Sequence, residues 1–282
     1  VTRVWGEDGA LLGGPGLDPA ALAALEDRTA REARLPAGAE IVDAHVHLGR
    51  DADGHELGAE ALLADLDRRG IGAAVCFPAN DPGDDGQFSL ANWVVARAAA
   101  DARGRIIPFC RVDPRRPGAE EAMARAGREG ARGLKLHPVA QRFRPEDPAV
   151  VLVVRAAAAR GWPVLIHAGF GARALAEPIG MLADAAPGAT LILAHGGRGD
   201  ARALARLAGT RPRIMFDTSL AALPDLVALP PDRLCFGSDR PYGEHASALH
   251  LVGAAARLAG WSDAEFRGVL AGNLRRVLDG GT

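Results

Sequence analysis

Lysine is almost missing from this sequence: Lys135 stands alone among 33 basic residues, the other 32 being arginine. Aromatic residues make up only 5%, with a single tyrosine, and cysteine occurs three times, at Cys76, Cys110 and Cys235. Three scattered cysteines exclude a disulfide framework or a CxxC site and read as buried thiols. The charge is nearly balanced, 33 basic against 35 acidic side chains for a formal net charge of -2, with no basic run. That removes the electrostatic footprint of a nucleic-acid partner or an anionic membrane surface. No apolar stretch approaches the roughly 20 residues that span a bilayer, and the opening VTRVWGEDGALLGG is not a cationic and apolar signal. The expected setting is cytoplasmic, with no nucleic acid and no membrane as partner.

What is present is a chain of 282 residues, 48% of them hydrophobic. One α/β barrel takes about 250 residues, so a single barrel with a short extension fits. Residues 1–36 are the expected extension: a glycine-rich start, then DPAALAALEDRTAREARL, where Asp18 reads as N-cap and Pro19 as the first residue of an amphipathic helix. From 37 to 282, short apolar runs recur at 41–46, 71–77, 105–112, 132–136, 163–166, 190–194, 213–217 and 233–237. Between them, segments of helical spacing cover 58–69, 90–103, 118–129, 148–160, 172–185 and 199–208, with a short proline-flanked one near 220–228. Helices at 246–258 and 263–279 follow the last run. Apolar strands alternating with helices specify a parallel sheet covered by helices, and eight strands close a barrel. The expected fold is α/β, a (β/α)8 TIM barrel over 37–282.

Five of the eight histidines fall where predicted strands end: His45 and His47 on the first, His137 on the fourth, His167 on the fifth and His195 on the sixth. In a barrel those positions form the catalytic mouth. His45 and His47, two apart on a strand, project to one face, and simple alternation sends Asp43 there too. Neutral imidazole is a common zinc ligand, and two on one strand give a rigid half of a coordination sphere. An HxH alone also describes half-buried histidines satisfied by backbone, and His167 or His195 alone could be a capped core histidine. Four together point to a metal centre. Asp239, ending the eighth strand in RLCFGSDRPYG, can ligate a metal and accept a proton from water; on its own it would read as a turn or N-cap residue. Lys135 is either a chance survivor of arginine drift or a position that demands a slender ammonium. Its alternation with His137 places both on one face. Arg240 reads as a substrate-carboxylate clamp or, preferably, as a product of the arginine bias. His55, His245 and His250 lie outside the strand ends and read as solvated or supporting.

The order DAHVH, GLKLHP, PVLIHAG, LILAHGG, FGSDRPYG and LAGNLRRVL resembles the amidohydrolase superfamily, in its amidohydrolase-related branch that includes relatives of aminocarboxymuconate-semialdehyde decarboxylase. The likeness runs from about residue 40 to the end. It implies a distorted (β/α)8 barrel holding one divalent metal ion, usually zinc, on His45, His47, His167 and Asp239, with His195 beside it as acid, base or orienter of water. RVDP at 111–114 and Asn273 are further, structural similarities. Binuclear relatives carry a carbamylated bridging lysine on the fourth strand, where Lys135 lies; this branch is mostly mononuclear, which favours one metal and a free Lys135 facing the substrate or organising Asp239. Hydrolysis of an amide, ester or lactone of a small molecule by zinc-activated water is the leading expectation, because decarboxylase relatives carry larger insertions and a minimal barrel leaves an open mouth. Non-oxidative decarboxylation of a conjugated carboxylic acid is the alternative. A catalytically silent barrel kept for binding is the third, and it would need a broken ligand set. The expected partners are a small-molecule substrate and, as an assembly open to such a barrel, a second copy in a homodimer.

Overall fold

The structure, a computed structural model, describes residues 19–81, 86–198 and 200–281. Eight barrel strands are present: β1 Val42–Arg50, β2 Ala73–Pro78, β3 in two pieces Ile106–Pro108 and Cys110–Arg111, β4 Leu134–Leu136, β5 Val164–Ile166, β6 Leu191–Leu193, β7 Ile214–Asp217 and β8 Leu234–Cys235. Every neighbouring pair from β1 to β8 is parallel, the two pieces of β3 carrying the sheet across Phe109. The barrel closes between β8 and β1: Ala44 N–H donates to Phe236 O at 2.7 Å, Asp239 N–H to His45 O at 2.9 Å and His47 N–H to Arg240 O at 2.8 Å. A two-residue strand, Glu56–Leu57, folds back antiparallel on the end of β1.

The helices are α1 Pro19–Arg31, α2 Ala59–Arg69, α3 Ser89–Asp101, α4 Ala119–Arg128, α5 Pro138–Gln141, α6 Pro148–Ala158, α7 Ala176–Ala185, α8 Ala201–Ala208, α9 Leu223–Ala228, α10 His245–Ala259, α11 Asp263–Arg267 and α12 Asn273–Leu278. The expected N-cap Asp18 lies outside the described residues. Helix α1 packs on α10, and Gly253 of α10 admits the backbone that follows α1: a Cβ there would meet Ala33 O at 2.2 Å. The helix expected over 263–279 is divided by a π-turn, Gly268–Gly272. The turn frees Val269 O to accept from Phe236 N–H at 2.8 Å, and the Asn273 amide donates to Pro231 O and Leu234 O. Pairing with β8 outweighs helix continuity there.

Alternation sorts the strands into two apolar layers. One face joins the helices, with Leu134, Leu136, Val164, Ile166, Leu191 and Leu193 among its residues. The other fills the barrel, with Val42, Ala44, Phe77, Leu165, Ile192 and Met215, plugged by Leu274 and Val277 of α12. Lys135 sits between Leu134 and Leu136 and therefore points inward, in register with Leu165, which pairs onward to Ile192 and Met215. A charged side chain thus occupies a layer otherwise built of large apolar ones.

An irregularity in β1 between Asp43 and Val46 changes which residues face inward. Val42 and Ala44 belong to the interior, and so do the His45 and His47 rings packed on Phe77. Asp43 faces outward instead, toward α2 and α10. Alternation alone had put Asp43 with the two histidines; the bulge separates them.

Candidate metal centre and active-site cleft

His45, His47 and Asp239 bring three ligand atoms within 4.8 Å of one another, all buried. The Nε2 atoms of His45 and His47 are 3.3 Å apart, and Asp239 Oδ1 lies 3.1 Å from the first and 3.2 Å from the second. That oxygen is buried without a hydrogen-bond partner. Two imidazole nitrogens and a carboxylate oxygen converging on one point, with the oxygen unsatisfied, suit a divalent cation of the zinc type.

The surroundings orient these donors. His45 Nδ1–H donates to Asp217 Oδ2 at 2.7 Å, which leaves the Nε2 lone pair for the centre. Asp217, ending β7, also accepts from the backbone N–H groups of His195 and Ser219, each at 3.0 Å, and from the Ser219 hydroxyl. These donors and the histidines hold its carboxyl down to about 2 against complete burial. Burial and Lys135 oppose a charge on His45, but Asp217 and Asp239 prevail and raise it. Burial lowers His47 to about 3, and Asp239 stays well below the usual carboxylate range because its histidine partners outweigh burial.

The remaining histidines line one wall. His167 Nε2–H donates to Phe170 O at 2.9 Å, and its Nδ1 faces His195 Nε2 at 3.1 Å. His137 stacks on His167 with centroids 3.9 Å apart and planes 13° from parallel. Burial lowers His167 to about 3 and His195 to about 4. His195 Nδ1 is 3.0 Å from Ser219 O, and its backbone is left-handed at φ 61°, as is that of Asp239 at 63°. Such conformations are strained for residues with a Cβ and cluster at functional sites. Gly169 permits the ring to lie where it does, since a Cβ there would stand 2.5 Å from His195 Cδ2.

The structure therefore gathers His45, His47 and Asp239 into one group and sets His167 and His195 beside it in a shared cleft of about 400 Å³. His137 lines that cleft too. Lys135 does not: it lies beneath the floor, wholly buried, its Nζ 3.1 Å from His45 Nε2 and 4.4 Å over the Phe77 ring. Burial lowers it to about 7 despite Asp239 and Asp217. Arg240 turns away from the cleft, its guanidinium 2.6 Å from Glu244 and 3.5 Å from Asp65, so the clamp reading is set aside. His245, expected to be solvated or supporting, is buried between Asp43 and Asp65. Asp217 was missed; the signal for it was a carboxylate closing the apolar run RIMFD at the mouth end of the seventh strand.

Among the described residues no helix is long and apolar enough to cross a membrane. A search of curated proteins finds no match. Among solved structures, 5-carboxyvanillate decarboxylase from Sphingomonas paucimobilis is 17% identical with a TM-score of 0.65, the alignment covering 86% of this chain and 99% of that one. The 2,6-dihydroxybenzoate decarboxylase from Rhizobium is 15% identical with a TM-score of 0.68, over 86% and 99%. An amidohydrolase from Burkholderia multivorans with bound zinc is 20% identical with a TM-score of 0.66, again over 86% and 99%. At these identities the likeness is one of fold, the (β/α)8 barrel. The sequence profile described as Amidohydrolase matches residues 42–280, nearly the whole barrel and every residue of the cluster just described, and by that match the chain belongs to the amidohydrolase family.

Proposed function

We propose that this chain is a metal-dependent, non-oxidative decarboxylase of a planar conjugated or aromatic carboxylic acid, in preference to the hydrolase that chain length alone favours. The carrying observation is the lining of the cleft: the rings of His137, His167, His195, Phe170 and Tyr242 border one space together with the His47 and Asp239 donors. Such a ring-lined space suits a planar acid, and the named activities of two neighbours of the same fold are decarboxylations of aromatic acids. His45, His47 and Asp239 would hold the ion, with the cleft-lining His167 as the expected fourth donor and zinc as the expected metal. The bound ion supplies Lewis acidity toward a substrate carboxylate or carbonyl oxygen.

The protein's own part is orientation and proton handling. The bond from the substrate carbon to its carboxylate breaks, carbon dioxide leaves, and a proton takes its place on the carbon. His195 Nδ1–H is engaged at Ser219 O, which leaves Nε2 of the neutral ring without a proton, so Nε2 would relay to the carbon a proton taken from water at the cleft mouth. Asp217 holds both the His45 ring and the His195 backbone, and so sets the distance between metal side and proton side.

Hydrolysis of an amide, ester or lactone is the second reading, favoured by Phe170, 50% exposed at the rim, which leaves the cleft open to water. The test incubates zinc-loaded protein with 2,6-dihydroxybenzoate and 5-carboxyvanillate as probe acids and with a panel of lactones, esters and N-acyl compounds, following carbon dioxide and acid release separately. Metal-dependent carbon dioxide release is expected. Hydrolytic turnover without it would replace the proposal with the second reading.

A further inference from the structure

A second buried cluster stands behind the cleft, on the helix side of β1. His245, the first residue of α10, places Nε2 3.0 Å from Asp43 Oδ2 and Nδ1 2.7 Å from Asp65 Oδ2 on α2. Both ring nitrogens face carboxylate oxygens, so both carry hydrogen and the ring is an imidazolium. Asp43 spends its other bonds on the barrel seam: Oδ1 accepts from His45 N–H at 2.8 Å and from Ser238 N–H at 3.0 Å, and Oδ2 from the Ser238 hydroxyl. Ser238 Oγ in turn accepts from Arg240 N–H at 3.2 Å. The residues on both sides of Asp239 are thus tied to a carboxylate that also holds the backbone of His45. Asp43 and His245 have fully buried side chains, and the mechanism above uses neither.

We infer that His245 is a positioning residue for the metal centre: its cationic ring, seated between Asp43 and Asp65, anchors the carboxylate that staples β1 to the β8 turn and so holds His45 and Asp239 in ligand register. The inference rests on the metal-binding reading of His45, His47 and Asp239. The physical argument is that Asp239 occupies a left-handed backbone that a non-glycine residue keeps only when its neighbours determine it. Asp43 supplies that restraint through Ser238. A buried carboxylate without its cation is costly, and Asp43 then turns toward other donors, which loosens the staple.

The test is cobalt(II) binding by the full chain, followed by its visible absorption and by competition with a chelator. His245→Gln removes the charge and one donor; Asp65→Asn removes only the outer carboxylate. Substitutions around metal ligands cost about 10- to 100-fold in affinity. His245→Gln should weaken cobalt binding at least about ten-fold and alter the spectrum, with Asp65→Asn weaker than wild type by a smaller factor. Unfolding of the metal-free variants, measured alongside, shows whether they remain folded. Lowered melting with cobalt affinity and spectrum unchanged would make His245 structural and overturn the inference. Should His245→Gln not fold, Asp65→Asn decides by the same two readouts. A wild-type chain that takes up no cobalt overturns the metal centre itself, and the inference with it.

Discussion

His195 and His245 are both buried in the same barrel, one facing the cleft and one facing the helices, yet they hold opposite charge states. Burial lowers His195 to about 4, and His47 and His167 beside it to about 3, so these rings are neutral near pH 7. Burial opposes the charge on His245 as well, but the hydrogen bonds it donates to Asp43 and Asp65, and their negative charge, outweigh it and raise the ring to about 9. Depth is common to both regions; the partner decides. The cleft keeps imidazoles with a free nitrogen, the form that ligates a metal or takes up a proton. The outer region keeps a fixed cation, which can only anchor.

The contrast breaks hardest at a ligand. His47→Ala should reduce bound zinc from about one equivalent to a small fraction and abolish activity, because losing one of a few donors collapses affinity. Metal analysis of the purified variant checks this, and a full equivalent in His47→Ala would remove the centre from these residues. His195→Asn sharpens the division within the cleft: activity should fall about 10²-fold or more while metal content stays near wild type. Equal loss of metal would make His195 a ligand. The smallest effect lies in the outer cluster. The folded value of His245 stands above its unfolded value of about 6.5, so its contribution to stability is complete below that pH and is lost as pH rises through about 9. The groups facing it are Asp43 from β1 and Asp65 from α2, with Arg240 and Glu244 adjoining. Metal-free wild type should lose on the order of 3 kcal/mol between pH 6 and 10 beyond what His245→Gln loses. Parallel loss in the two proteins, measured by denaturant unfolding, would show that the ring is not the buried cation described.

Much of this arrangement was legible in the residues. The eight apolar runs became eight strands, and histidines at four of their ends came together at one mouth, because strand ends in a parallel barrel all open on the same side. Asp217 escaped notice although it too closes a strand, since a carboxylate after an apolar run says nothing about which ring it will meet 172 residues away. Arg240 was legible only as a charge near the site; its direction, toward Glu244 and Asp65, follows from the turn that carries it.

The sequence by itself specified the barrel, through apolar runs alternating with helical segments, and the pairing of His45 with His47, through the two-residue repeat of a strand. The tertiary structure alone decided that Asp43 leaves that pair and faces His245. A bulge changes the inward side by a single residue without a signature in composition, and the partner that makes the outward position useful arrives from a helix 202 residues further along the chain.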